Sequence, residues 1–294
     1  MTKIWTMDLR RIVLLGHSGF VGSHLVTHLR RYCPDLGLVA FSVEDLDLTR
    51  TEAVERLSAL FEADVGVVMT AGVKRQWGDT LEAFSRNLRM AQNVCNALAA
   101  RPVGRFLFFS SAAVYGEAND NEAIDENTAV CPTSYYGVAK FASECLLRQT
   151  LPHGLVALRP PLIYGVGDTS KSYGPAGFVH AALYGEPITL WGDGEEKREF
   201  IYIDDVAELT TRLLFNDFEG PLNIASGQQS TFRQAADFAV RHASGGVAIK
   251  SRPRSKIKVD QGFRNGRLAR LFPDFKFHSL EEGMRRTLEA ESVK

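Results

Sequence analysis

The chain has 294 residues, with 34 Lys and Arg against 35 Asp and Glu for a net charge of −1, and is 45% hydrophobic. That length buries one large core or two closely packed ones, and the balanced charge excludes the overall basic excess of a nucleic-acid or anionic-membrane binder. No apolar run approaches the roughly 18 residues that span a bilayer, and "MTKIWTMDLRRIVLLG" has no long apolar stretch before a small-residue cleavage site, so a cytoplasmic protein is expected.

"RRIVLLG" is a short β-rich apolar run, and a glycine turn leads from it into "GFVGSHLVTHLRRY", whose apolar spacing is helical. "LGLVAFS" is a second buried strand. "TRTEAVERLSALF" opens with Thr49 and Glu52 in capping-box spacing and predicts a helix. "DVGVVMTAG" is a third strand, "DTLEAFSRNLRMAQNVCNALAA" a long helix and "GRFLFFSS" a fourth strand. "SYYGVAKFASECLLRQ" is a helix and "GLVALRP" a fifth strand. Continuous apolar strands alternating with helices indicate a parallel sheet covered on both faces, an α/β doubly wound arrangement of Rossmann type.

The alternation becomes irregular after Gly165. "YGVGDTSKSYGPAG" reads as a glycine-rich loop, "FVHAALYG" as a short helix, and "PITLWGDGEEKREFIYIDD" as two strands around a turn. A helix from about Val206 and the strand "PLNIAS" return to the sheet. Two tail helices begin with capping pairs, Thr231 with Gln234 and Ser279 with Glu282. The expected division is a dinucleotide-binding domain of residues 8–165 with 198–226, and a smaller lobe of 166–197 with 227–294.

The turn "GHSGFVGSHL" places Gly16, Gly19 and Gly22 between a strand and a helix that opens with Phe20 and Val21. Glycines there let the backbone turn tightly and approach a phosphate, and the helix N-terminus offers N–H groups to a pyrophosphate. An acid about 20 residues further on would read the ribose of NAD. Ser42 stands near that place, with Glu44 and Asp45 slightly late and no arginine nearby for a 2′-phosphate. NAD and NADP both remain open on these residues.

In "PTSYYGVAK", Tyr136 and Lys140 are four apart and lie about 40° from each other around a helix, whereas Tyr135 and Lys140 diverge by about 140°. Only Tyr136 shares a face with the lysine, whose charge would lower a phenol pKa of about 10. Ser110 and Ser111 end the fourth strand, at the rim where ligands bind in such sheets. The four cysteines, Cys33, Cys95, Cys131 and Cys145, have neither CxxC nor metal spacing and read as reduced thiols, and no metal site is expected. His17 in the glycine turn reads as incidental, and Trp191 as packing.

The ordered set "GHSGFVGSHL", "SSAAVYG", "YYGVAK", "LRPPLIYG", "GDGEEKREFIYIDD" and "SLEEGMRRTLE" resembles the extended short-chain dehydrogenases/reductases, the NAD-dependent epimerase/dehydratase family, in its UDP-galactose 4-epimerase-like branch. The resemblance implies Ser111, Tyr136 and Lys140 as the catalytic set. It implies cofactor contacts from the glycine turn and from Ser42, Asp47, Leu48, Ala71, Gly72, Lys74, Asn87, Ser110 and Pro161, besides Tyr136 and Lys140. It also implies a nucleotide-diphosphate sugar as substrate, held by Ser111, Arg198 and Arg252, the last in the basic stretch "RPRSKIK".

Two departures narrow the reading. Dehydratases of the family carry Asp-Glu after the catalytic Ser or Thr, and this chain has Ala112-Ala113, which cannot shuttle protons. Leu162 stands where many relatives have a diphosphate-contacting asparagine. A C4-epimerase is therefore expected. A 4-keto-sugar reductase is the runner-up, because the second strand runs by a short connection into "DLDLT", and a cofactor-sensing relative without catalysis belongs to a different class. The resemblance further implies a homodimer through two paired helices, with Leu81, Phe84, Leu88, Val94 and Leu98 on one and Phe141, Cys145 and Leu146 on the other.

Overall fold

The computed structural model describes residues 8–168, 173–243, 245–255 and 257–292. Residues 1–7 of the N-terminal stretch, 169–172 of the glycine-rich loop and 256 of the basic stretch lie outside the described residues. In chain order the elements are β1 (Arg11–Leu15), α1 (Phe20–Tyr32), β2 (Gly37–Phe41), α2 (Glu52–Ser58), β3 (Val65–Met69), α3 (Leu81–Ala100), β4 (Arg105–Phe109), β5 (Asn121–Ile124), α4 (Tyr135–Thr150), β6 (Leu155–Arg159), β7 (Leu162–Tyr164), α5 (Pro175–Leu183), β8 (Ile188–Trp191), β9 (Lys197–Arg198), β10 (Phe200–Tyr202), α6 (Ile203–Leu214), β11 (Gly220–Asn223), β12 (Ser230–Thr231), α7 (Phe232–Arg241), β13 (Ile249–Arg252), β14 (Gln261–Phe263), α8 (Gly266–Leu271) and α9 (Leu280–Glu291). Short 3₁₀ turns occupy Arg75–Trp77 and Ala112–Tyr115.

Six strands form the central sheet in the order β2-β1-β3-β4-β6-β11. The pairs β1–β2, β1–β3, β3–β4 and β4–β6 are parallel. β3, β4 and β6 are buried along their whole length, as a parallel sheet covered on both faces requires. In the usual six-strand dinucleotide fold a further strand lies outside the second one. Here the chain leaves β2, passes through α2 and returns as β3 directly beside β1. The strand order reverses between β1 and β3, and in open α/β sheets ligands bind beyond the carboxyl ends of the strands at that point.

The chain forms two compact units. The first comprises the described residues of 8–117, 129–159 and 207–222, and the second those of 118–128, 160–206 and 223–292. The first holds the sheet and a core that includes Leu15, Leu57, Phe61, Val67, Val94, Leu98 and Phe106, all nearly inaccessible to solvent. In the second unit the strands expected to flank one turn do not pair with each other. β8 pairs with β13, β9 with β12 and β10 with β7. Glu199 organises this unit from a fully buried position, accepting from the N–H groups of Ser226, Gly227 and Phe263 at 3.0, 3.1 and 2.9 Å. Burial nonetheless pushes its carboxyl above the usual range.

The capping expectations divide. Thr231 and Gln234 form the reciprocal box at α7. Ser279 caps α9, while Glu282 pairs with Arg285 and Arg286 instead of reaching back. Thr49 does not box with Glu52, because its hydroxyl and N–H both bond Asp47 Oδ1, at 2.7 and 2.9 Å, and Thr51 becomes the cap position of α2. Among the described residues no helix is long and apolar enough to cross a membrane.

Candidate active site

The glycine turn meets the sheet at the reversal point. Gly16 has φ +97°, and a Cβ there would lie 2.7 Å from Ala71 N. A Cβ on Gly22 would lie 2.1 Å from Gly16 O, so this glycine is needed for α1 to pack onto the turn. Gly19 differs. A Cβ there would meet only Gly16 O, at an ordinary 3.4 Å. Nothing inside the protein demands glycine at that position, and its missing side chain leaves the backbone open to a ligand. Gly19 is the N-cap of α1 and makes no side-chain cap bond, so the first-turn amides of Phe20, Val21 and Gly22 are not covered by a capping side chain. Such a cradle fits a dinucleotide pyrophosphate.

At the end of β2, Asp45 reaches back to Ser42. Its Oδ2 accepts from Ser42 N at 2.8 Å and from Ser42 Oγ at 2.7 Å, and lies 3.4 Å from His17 Nε2. These bonds from Ser42, with His17 adding less, hold the Asp45 carboxyl below the usual range. A carboxylate thus stands on the serine where an acid is usual, and it ties the strand end to the glycine turn. Asp47 is occupied by Thr49. Leu48 is buried, and its carbonyl accepts from Asn93 Nδ2 at 2.8 Å.

Beyond β3, Ala71 N donates to Leu15 O at 2.9 Å. Asn87 spends its amide on the next segment, accepting from Val73 N at 2.7 Å and donating to Val73 O at 3.1 Å. A Cβ on Gly72 would meet Asn87 Oδ1 at 3.3 Å and Lys140 Nζ at 3.4 Å, so the lysine head lies against this backbone. Lys74 Nζ lies 5.7 Å from the centre of the Phe20 ring.

Helix α4 sorts the two tyrosines as its period requires. Tyr135 is 48% exposed and faces the Phe84 ring at 6.4 Å. Tyr136 is half-buried, lies beside Ser111, and has its ring 5.7 Å from Lys140 Nζ. Ser111 caps the turn Ala112–Tyr115, its Oγ accepting from Ala113 N at 3.1 Å. Lys140 is buried, donates to Phe109 O at 2.6 Å and lies over the Phe108 ring at 5.0 Å.

The charge balance of this pair differs from the sequence expectation of a lowered phenol pKa. Burial pushes the Tyr136 phenol up to about 12, the Ser111 bond opposing and the Glu117 charge adding. Burial also pushes the Lys140 ammonium down to about 8, with the Glu144 charge opposing. Desolvation penalises both charged forms. The lysine head is engaged with a carbonyl rather than with the phenol oxygen.

Several groups at this site carry no local signal in the chain. Asp79 Oδ1 accepts from Tyr136 N at 2.9 Å. Glu117 accepts from Ser134 Oγ at 2.8 Å and pairs with Arg75. Ser134 is the N-cap of α4 and accepts from Gly137 N at 3.1 Å. Glu144 lies one turn beyond Lys140, a spacing that could have flagged it. It takes the Ser110 hydroxyl and forms a buried ion pair with Arg159 at 2.6 Å, and Arg159 Nη1 also donates to Tyr115 OH at 2.9 Å. The Ser110 hydroxyl is thereby committed to the core, which leaves only its main chain for a cofactor.

In the second unit the expected anion contacts differ from each other. Arg198 is bound to Glu196 and to the carbonyls of Lys197 and Val259. Arg252 is exposed and lies over the Trp191 ring at 3.4 Å from its centre, so this tryptophan is a platform for the guanidinium. Arg254 pairs with Glu196 at 3.0 Å. Leu162 is 42% exposed, and Pro161 lies in the same unit, immediately before β7. Among the described residues no group of three or more His, Cys, Asp or Glu could hold a metal ion.

A family model described as "NAD dependent epimerase/dehydratase family" matches residues 12–225. An uncharacterized UDP-glucose epimerase of Bacillus subtilis (strain 168), YtcB, is 26% identical and covers 69% of this chain and 72% of that one. GDP-mannose 3,5-epimerase 1 of Oryza sativa subsp. indica is 28% identical over 80% of this chain and 69% of its own. The UDP-glucose 4-epimerase of Thermus thermophilus, solved as a complex with NAD, superimposes with a TM-score of 0.79 at 26% identity, covering 95% of this chain and 98% of that one. The UDP-N-acetylglucosamine 4-epimerase of Methanobrevibacter ruminantium M1 shares the fold with a TM-score of 0.83 at 22% identity, covering 98% and 99%. A family match of that length decides the assignment, and the chain belongs to the NAD dependent epimerase/dehydratase family as an NAD-dependent enzyme of the extended short-chain dehydrogenase/reductase group.

Proposed function

We propose that this enzyme epimerises a nucleotide-diphosphate sugar, at C4, by reversible hydride transfer. The observation that carries the reading is Tyr136, set beside Ser111 and sharing a helix face with Lys140. NAD, when bound, supplies the hydride acceptor and, through its oxidised ring, a positive charge. The turn Gly16–Gly22 would hold its pyrophosphate and the Ser42–Asp45 corner its adenosine ribose, with Lys140 on the other ribose. Tyr136 takes the proton from the sugar hydroxyl whose carbon gives up hydride, and returns it when the carbonyl is reduced. Ser111 hydrogen-bonds that oxygen and fixes its distance from the phenol. A phenol pushed up to about 12 becomes a base only beside positive charge, and Lys140, charged below about 8, contributes part of it. Arg252, exposed on its tryptophan platform, is the better candidate for the substrate diphosphate, because Arg198 is already engaged.

The likeness to a UDP-glucose 4-epimerase along nearly the whole chain supports C4 chemistry. The Ala112–Ala113 pair leaves no acid and base for water elimination. One observation favours a second reading, a 4-keto-sugar reductase: the short passage from β2 through α2 to β3, which resembles some reductases of the family. We also propose a homodimer through α3 and α4. Leu81, Tyr135 and Val138 are 62%, 48% and 41% exposed, and Phe84, Leu88 and Phe141 are partly exposed. Val94 and Leu98 belong to the core instead and add nothing to that surface.

The purified protein should retain NAD and convert UDP-glucose or another UDP-hexose to its C4 epimer without added cofactor. Tyr136→Phe should lower hydride transfer by about 10²-fold or more, while Tyr135→Phe keeps most of it. Equal losses overturn the assignment of the base. Turnover that consumes added NADH stoichiometrically selects the reductase.

A further inference from the structure

Two carboxylates reach the first turn of the helix that carries Tyr136. Asp79, ahead of α3, accepts the Tyr136 N–H itself at 2.9 Å. Glu117, after the turn Ala112–Tyr115, accepts from the cap residue Ser134 at 2.8 Å. Negative groups at a helix N-terminus stabilise the helix. The Glu117 charge also acts on the Tyr136 phenol in this turn, whose conjugate base is negative, and like charges oppose ionisation. The structure answers this at Glu117. Arg75, from the 3₁₀ turn Arg75–Trp77, pairs with the Glu117 carboxylate. Both side chains are partly solvated, at 42% and 29% exposure.

We propose that Arg75 and Glu117 are positioning residues that together set the proton affinity of Tyr136: Glu117 orients the helix cap, and Arg75 neutralises the charge this orientation brings near the phenol. The proposal rests on the reading of Tyr136 as the proton-exchanging group. The charged groups around this part of α4 are Lys140 and, one turn on, Glu144 on the same helix; Asp79 on the Tyr136 N–H; and Glu117 with Arg75. Glu82, Arg86 and Arg89 of α3 are exposed to solvent. The Glu117 charge acts on Tyr136 to raise its pKa, which agrees with the geometry.

The sign differs between the two partners. Glu117→Gln keeps an oxygen for Ser134 Oγ, removes the negative charge and leaves Arg75 positive, so the phenol ionises more easily. Arg75→Gln keeps a donor for Glu117 and leaves its charge uncompensated, so the phenol ionises less easily. A merely structural cap would slow both variants and move neither titration.

The test uses the NAD-loaded enzyme and two readouts. The first is the pH dependence of single-turnover NAD reduction by a UDP-hexose. The second is the ultraviolet phenolate titration, taken as the difference from Tyr136→Phe, which needs no turnover. Glu117→Gln should move both to lower pH and Arg75→Gln to higher pH, each by about half a pH unit or more for one partly screened charge. The double variant Arg75→Gln/Glu117→Gln should fall between them. Unmoved titrations, or shifts of the same sign, overturn the proposal even if Tyr136→Phe abolishes hydride transfer. Hydride transfer that survives in Tyr136→Phe overturns the catalytic reading instead, whatever the titrations show.

Discussion

A Cβ on Gly137 would lie 2.7 Å from the carbonyl oxygen of Ala113 and 3.0 Å from Pro132 Cβ. This contact places helix α4 directly against the turn that follows Ser111, and so brings Tyr136 to the serine. Gly137→Ala should push the helix away from a backbone atom that cannot yield. The expected cost is about 1–3 kcal/mol of stability, typical of an overfilled contact. The approach of Tyr136 to Ser111 should be disturbed as well. Denaturant melts read the first effect, and single-turnover hydride transfer the second. A variant as stable and as active as the parent would show that the contact does not position the helix.

Lys140 carries a stability penalty that depends on pH. Burial holds its folded pKa near 8, against 10.5 for a lysine in water. The folded state therefore binds fewer protons than the unfolded state between those values, and stability rises with pH across that window. Below about 8 the full cost of a buried ammonium is present, roughly 3 kcal/mol. Lys140→Met should remove that rise and stabilise the protein at neutral pH, by less than this figure because the bond to Phe109 O is also lost. Hydride transfer should fall. Melts at several pH values decide it, and a variant that keeps the rise between 8 and 10.5 would assign the pH dependence elsewhere.

Asp45 stands on Ser42 with its carboxylate turned to the strand end. A negative charge at the adenosine ribose admits a hydroxyl and repels a 2′-phosphate. Asp45→Asn should therefore raise the ratio of NADP to NAD use, about tenfold in kcat/KM, without loss of fold, since the residue is exposed. An unchanged ratio would separate Asp45 from cofactor choice.

Val138 is exposed on α4, three residues beyond the exposed Tyr135 and so on the same side of the helix. In the proposed dimer this side meets the partner's helices. Val138→Arg should convert a light-scattering mass of about twice 32.5 kDa to one near 32.5 kDa. A parent protein that is already monomeric at micromolar concentration removes the dimer proposal and leaves the active-site reading intact, because Ser111, Tyr136 and Lys140 belong to one chain.

What the sequence determined by itself is local in origin. The glycine turn, the buried strands, the helix period that separates Tyr136 from Tyr135 and the capping box of Thr231 with Gln234 all follow from spacing within a few residues, because backbone geometry and helical period are properties of the nearest neighbours. The start of α2 departs from its spacing for a related reason: Asp47, two residues before Thr49, offers a nearer acceptor than the box. Tertiary structure decided the rest. It brought Glu117 and Arg75, 42 positions apart in the chain, to the first turn of α4, set Asp79 on the Tyr136 N–H, and tied Arg198 to a carbonyl 61 residues away. It also set the cost of charging the tyrosine and lysine that spacing pairs, since desolvation opposes the ionised form of each. Spacing fixes which groups can share a face, but the cost of charging them depends on burial and on distant partners, and these exist only in the folded chain.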